Sequence, residues 1–207
     1  MRFFYGKTPR LIKDDILLED FSAFPSNFEK INGYGPIISF LVLVAATALW
    51  LASGIDPLRP FLSLLSHPFS ILPVLLIMLS TNVAHEVIHF ASFPGFWKDK
   101  KAGFGFMPKI LTPYAWYAGV LSKNRAMTSM LAPFVWLTCM PLVIQLIFHP
   151  FGQESYMPWV SIFNAMSSGG DLLLSTIIFL YVPRGAYMQG TIYGMKLKSS
   201  TPSPHAL

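Results

Sequence analysis

The chain has 207 residues, of which 53% are hydrophobic and 12% charged, with a mean hydropathy of +0.51 and a formal net charge of +5. A soluble domain carries about a quarter charged residues, so this composition excludes one and indicates a multi-pass membrane protein. The positive charge does not indicate nucleic acid, because the basic residues cluster between apolar runs, and the single cysteine, Cys139, excludes an internal disulfide or a cysteine-built zinc site.

Residues 1–33 mix Arg2, Lys7, Arg10 and Lys13 with Asp14, Asp15, Glu19 and Asp20. Too polar for a cleavable signal peptide, they predict a cytosolic arm with a short amphipathic helix over Ile12–Phe21. Gly33-Tyr34-Gly35-Pro36 opens a first span over Ile37–Ser53. Proline is tolerated at a helix start because that N–H has no partner there, and about 18 apolar residues suffice to cross a bilayer. A second span is expected from Phe69 to Phe93, with Pro73 near its start.

Residues 94–125 alternate short aromatic pieces with Gly and Pro, notably Gly103-Phe104-Gly105-Phe106 and Pro113-Tyr114-Ala115-Trp116-Tyr117. They predict a short β-hairpin or irregular loop at the membrane surface. The third span covers Met127–Phe148, with Pro133 and Pro141 inside it, and the fourth covers Met157–Val182, interrupted at Asn164 and again at Ser167-Ser168-Gly169-Gly170-Asp171. The tail from Pro183 on is expected to be disordered at its end.

The fold class predicted is therefore an all-α membrane protein with four transmembrane helices. It comprises a cytosolic arm (1–33), a four-helix transmembrane domain (34–182) and a cytosolic tail (183–207). Lysines and arginines concentrate in the arm, the 94–125 segment and the tail, while the 54–68 connection has only Arg59 and the 149–156 loop none. Alternate connections are thus basic, which predicts both termini in the cytoplasm of a multi-pass integral membrane protein.

The chemistry concentrates in Asn82-Val83-Ala84-His85-Glu86-Val87-Ile88-His89. Imidazoles at i and i+4 lie on one helix face about a turn apart. The pattern is H-E-x-x-H: two zinc ligands, His85 and His89, and a glutamate, Glu86, that acts on water instead of holding the metal. The second and fourth spans enter from the same face, and His85, His89 and Asp171 fall at depths agreeing within roughly a turn or two. A carboxylate that deep needs a cation or a metal, and no Lys or Arg lies at that level. One zinc ion held by His85, His89 and Asp171, with a fourth position open, accounts for all three. Asn82, His85, Glu86 and His89 form one polar stripe, and Asn164, Ser167, Ser168 and Asp171 repeat its spacing, implying a polar cavity between the two spans.

These features resemble the small multi-pass membrane proteins classed as putative zincin peptidases, which are similar in pattern to the site-2 proteases that cut within the membrane. The resemblance covers roughly residues 70–182. It rests on His85-Glu86-Val87-Ile88-His89 with Asp171, and extends to Ala102–Phe106, Pro113–Tyr117 and Ala132-Pro133-Phe134. In site-2 proteases a glycine follows the ligand aspartate; here the order is Gly169-Gly170-Asp171-Leu172, which sets the chain nearer the zincin group. The resemblance implies a zinc metallopeptidase of the bacterial cell membrane, with a membrane-protein or peptide substrate.

On that reading Glu86 takes a proton from water and later gives it to the departing amine. Asn164 or Asn82 would donate to the oxyanion, a contact typically worth about 3 kcal/mol. An edge strand of the 102–117 segment would hold the substrate extended. An intramembrane metal or proton transporter would also use His and Asp, but it needs a polar trail through the bilayer, and these groups gather at one depth. A non-peptidase zinc hydrolase built on the same residues stays open.

Overall fold

A computed structural model of the protein describes residues 2–6, 16–25, 30–31, 33–59, 62, 71–95, 98–109 and 112–198. Its helices are α1 (Gly35–Ala52), α2 (Ile71–Ser92), α3 (Lys123–Pro133), α4 (Met140–Phe148), α5 (Met157–Ser167) and α6 (Gly169–Tyr181), and a π-helical segment, Phe134–Cys139, joins α3 to α4. Three runs are long and apolar enough to cross a membrane: Gly35–Ala52, Ile71–Ser92 and Lys123–Phe148. The pair α5 and α6, bent by 51° at its junction, passes the same test when taken together. In α2 the apolar window is only 17% buried despite a mean hydropathy of 1.8. Leu72, Leu75, Leu76 and Leu79 face outward, as do Phe40 and Leu41 of α1. Helices that expose their apolar faces this way are suited to lipid and not to water.

The bent pair is central. α5 packs on α1 and α2, and α6 packs on α1 and α3. It breaks at Ser168, where the hydroxyl donates back to the carbonyl of Asn164 at 2.8 Å and two weak helix formers, Gly169 and Gly170, follow. Gly169 sits so close to α1 that a Cβ there would lie 2.1 Å from Ser39 Oγ and 2.8 Å from the Gly35 carbonyl. A side chain at this position would push the two helices apart.

Two small sheets close one end of the helices. The first has strand order β1 (Arg2–Tyr5), β3 (Ala102–Met107), β4 (Thr112–Tyr117). β3 and β4 form an antiparallel hairpin and β1 adds in parallel to β3. Trp116 lies over Gly103 and Tyr114 over Gly105, the residues directly opposite them, so the glycines make room for the rings. Below the hairpin, Phe90, Phe93 and Ala102 form a core, and Tyr117 stacks on Phe93 and donates to Asp99 at 3.0 Å. Burial first, then the hydrogen bond to Asp99 and the charge of that carboxylate, push the Tyr117 phenol up to about 12, so at neutral pH it stays a donor.

The second sheet is antiparallel, with order β2 (Phe21–Ala23), β7 (Ile192–Gly194), β6 (Tyr187–Gln189), β5 (Leu121–Ser122). It joins the N-terminal arm, the approach to α3 and the tail. Buried Gln189 strengthens the join by accepting from Leu17 N and donating to the Ala118 carbonyl, each at 2.9 Å. Lys123, at the start of α3, buries its ammonium against the last carbonyls of α6, donating to Phe179 O at 2.9 Å and Val182 O at 2.6 Å. A cation at a helix C-terminus meets both the free carbonyls and the dipole.

At the opposite end the 54–59 and 149–156 connections meet. Gln153 binds Gly54 O and Asp56 N, and Trp159 donates to Pro57 O at 2.8 Å. The bent pair therefore begins beside Pro57 and ends beside Lys123, at opposite ends of the bundle.

The all-α expectation needs correction, because both the arm and the tail contribute strands. Within the predicted helix Ile12–Phe21, residues 12–15 lie outside the described residues. Ile16–Asp20 is not helical; Leu18 bridges to Leu197 and Phe21 starts β2. Residue 69, where the second span was expected to begin, and the tail beyond 198 also lie outside the described residues. Of the two forms expected for 94–125, the structure has the hairpin.

Candidate metal centre

Two imidazoles and a carboxylate converge between α2 and the first turn of α6. His85 Nε2 lies 3.0 Å from Asp171 Oδ2, His89 Nε2 lies 3.3 Å from the same oxygen, and the two Nε2 atoms are 3.1 Å apart. The histidines are 3% and 6% exposed, and their rings stand nearly edge to face, 76° between planes. Asp171 follows the break at Ser168, so its carboxylate also sits at a helix N-terminus, where the dipole favours negative charge.

What each ring presents to this point is set by its other nitrogen. His89 Nδ1 lies 2.7 Å from the main-chain carbonyl of Ser129, on α3. A carbonyl only accepts, so Nδ1 carries a proton, and in the neutral ring Nε2 then offers its lone pair. For His85 the chain of inference has one more link. Asn164 Nδ2 lies 2.9 Å from the Pro133 carbonyl and 2.8 Å from Thr138 Oγ1. The Pro133 oxygen can only accept, which orients the amide so that Asn164 Oδ1 faces His85 Nδ1 at 2.8 Å. His85 Nδ1 therefore donates as well.

With both rings neutral, three acceptor atoms point at one place. One shared proton would bridge a single pair and leave the third atom facing lone pairs; a cation between them satisfies all three. The donor chemistry, two neutral imidazoles and a carboxylate, suits zinc, and the other nitrogen of each ring has the hydrogen-bonded support usual for metal-bound histidine. A tetrahedral ion with bonds of 2.0–2.1 Å needs ligand atoms about 3.3 Å apart; the spacings here are 3.0–3.3 Å. Among the described residues, His85, His89 and Asp171 are the group able to hold a metal ion.

Glu86 points to the hairpin. Its Oε2 accepts from Ala115 N at 2.7 Å, and β4 packs along α2. In the sheet β4 is an edge strand, so the side of Ala115 that meets Glu86 is the one turned away from β3. An open cleft of about 570 Å³, lined by Gly35, Ser39, Phe40, Met166 and Gly170 among others, reaches the chain one residue before Asp171.

Of the residues singled out in the sequence, His85, His89 and Asp171 are brought together and Glu86 lies beside them. Asn82 is half-buried one turn before His85. Asn164 needs correction as an oxyanion donor: it is fully buried behind His85, with its amide protons engaged by Pro133 and Thr138. Ser167, placed in the polar stripe from its spacing, is exposed and bonds to Phe163 O, because the helix breaks at the next residue. Thr138, the Ser129 carbonyl and Ala115 N–H were missed; two of these are main-chain groups with no side-chain signature.

Residues 78–187, just over half of the chain, match the family model described as putative zincin peptidase. That stretch carries every ligand candidate, Glu86, the hairpin and the π segment. No curated protein and no solved structure matches the chain.

Proposed function

Since the chain belongs to the putative zincin peptidase family, we propose that it is a zinc metallopeptidase embedded in the membrane, acting on peptide bonds within or next to the bilayer. The observation that carries this is the convergence of His85 Nε2, His89 Nε2 and Asp171 Oδ2 within 3.3 Å of one another, each ring's Nδ1 already committed elsewhere. His85, His89 and Asp171 would hold the ion. When bound, zinc supplies Lewis acidity and brings the pKa of water down toward roughly 7.

The chain's own residues do the rest. Glu86 takes a proton from the attacking water and returns it to the departing amine. Asn164 and Ser129 O keep the two rings aimed and in one tautomer. The outer edge of β4 gives an extended substrate a strand to pair with, and Ala115 N–H ties that edge to Glu86. Multi-pass insertion with both termini in the cytoplasm is supported by the sheets. The arm, the 94–125 segment and the tail are hydrogen-bonded together at one end of the helices, and the two less basic connections meet at the other. The bent α5–α6 pair then serves as the fourth crossing.

Metal analysis of detergent-purified protein tests the site. One zinc per chain is expected in wild type and in Glu86→Gln, and loss in Asp171→Ala; full occupancy in Asp171→Ala rejects the third ligand. Co-expression with single-span membrane proteins tests the chemistry. Fragments should appear with wild type and vanish with Glu86→Gln, and fragments that persist in Glu86→Gln exclude this active centre as their source.

A further inference from the structure

Pro133 stands eleven residues into the helical run Lys123–Phe148, fully buried, where a proline is costly because it breaks the hydrogen-bond ladder. Lacking an N–H, it cannot donate to the carbonyl four residues earlier, which belongs to Ser129. That carbonyl is the one 2.7 Å from His89 Nδ1. In an uninterrupted α-helix the same oxygen would take the N–H of residue 133. Ser129 is itself fully buried, so its carbonyl has no water to turn to.

We propose that Pro133 is a positioning residue of the metal site: by withholding an N–H it reserves the Ser129 carbonyl for His89, which locks that ring with Nδ1 protonated and Nε2 free for the ion. The proposal rests on the zinc-site reading for its purpose, but the hydrogen-bond exchange it describes belongs to the metal-free protein as well. It gives the proline a role in chemistry that its distance in sequence from His89 conceals. The effect is specific to one ring. His85 is held through Asn164 by the carbonyl of residue 133, which any residue supplies.

Pro133→Ala restores the N–H and sets it in competition with His89. Zinc affinity by chelator competition should fall about 10- to 100-fold, the usual effect of removing the hydrogen-bond partner of a ligand histidine. Pro141→Ala, further along the same run, should leave affinity unchanged. In the metal-free protein, imidazole ¹⁵N signals should show His89 passing from one tautomer to a mixture while His85 keeps its pattern. Lactic acid in place of Pro133, an ester unit without an N–H, should restore wild-type affinity. Wild-type affinity with an unchanged His89 pattern in Pro133→Ala overturns the proposal, as does a lactic acid variant that binds zinc as weakly as the alanine one. If Pro133→Ala does not fold, the lactic acid variant decides alone, by keeping or losing the affinity and the His89 pattern of wild type. Should His85→Ala, His89→Ala and Asp171→Ala all bind zinc normally, the metal reading fails, and the tautomer measurement still judges the hydrogen-bond exchange by itself.

Discussion

A histidine offers a metal one lone pair, and the partner of its other nitrogen decides which. At His85 that partner is Asn164, whose orientation is dictated by a carbonyl and a threonine on the neighbouring run. Asn164→Leu keeps the volume, removes the acceptor and leaves His85 Nδ1 buried without a partner. Zinc affinity should drop about 10- to 100-fold, read by chelator competition, and an unchanged affinity would remove Asn164 from the site. The residue was legible in the sequence as a polar group inside a span, but its task was not. Spacing put it on the same face as Asp171, which suggested that it faces substrate; the amide is in fact spent on holding a ring. The pairing of the two histidines was legible, because i and i+4 on one helix fix their relation without any help from the rest of the fold; what holds each ring and Glu86 was not.

The hairpin shows how a local pattern becomes part of the site. Gly103 and Gly105 leave room for Trp116 and Tyr114, and this lays β4 against α2 with its open edge toward Glu86. Because Ala115 N–H points away from β3, Ala115→Pro removes the bond to Glu86 without removing a rung of the ladder. Zinc content should stay at one per chain and cleavage of a co-expressed substrate should fall about 10- to 100-fold, the scale of one hydrogen bond to a charged group. Cleavage at the wild-type rate would mean that β4 does not tune the glutamate. Alternating aromatic and glycine residues predicted a hairpin or an irregular loop. The third strand came from residues 2–5, a hundred positions away, and short-range pattern has no means of finding it. The bend at Ser168 was foreshadowed by Gly169-Gly170, but the close contact of Gly169 with Ser39 depends on how α1 packs.

For the molecule as a whole, the sheet linking arm, hairpin exit and tail would, in the proposed topology, hold those three segments on one side of the membrane. A reporter fused after Lys198 should therefore read cytoplasmic, and one inserted at Gly152 should read external; opposite or equal readings at the two sites would break the four-crossing topology. Hydropathy and the distribution of lysine and arginine predict this arrangement from the sequence, because insertion responds to local composition, which needs no knowledge of partners. By itself, then, the sequence determined the apolar runs, the paired imidazoles with their glutamate, and the lone aspartate at matching depth. Tertiary structure alone decided how these are held: His89 by a carbonyl 40 residues away, Glu86 by an N–H 29 residues away, and His85 by an amide 79 residues away. The first two partners are backbone atoms, which every residue carries and only packing can bring to a given side chain.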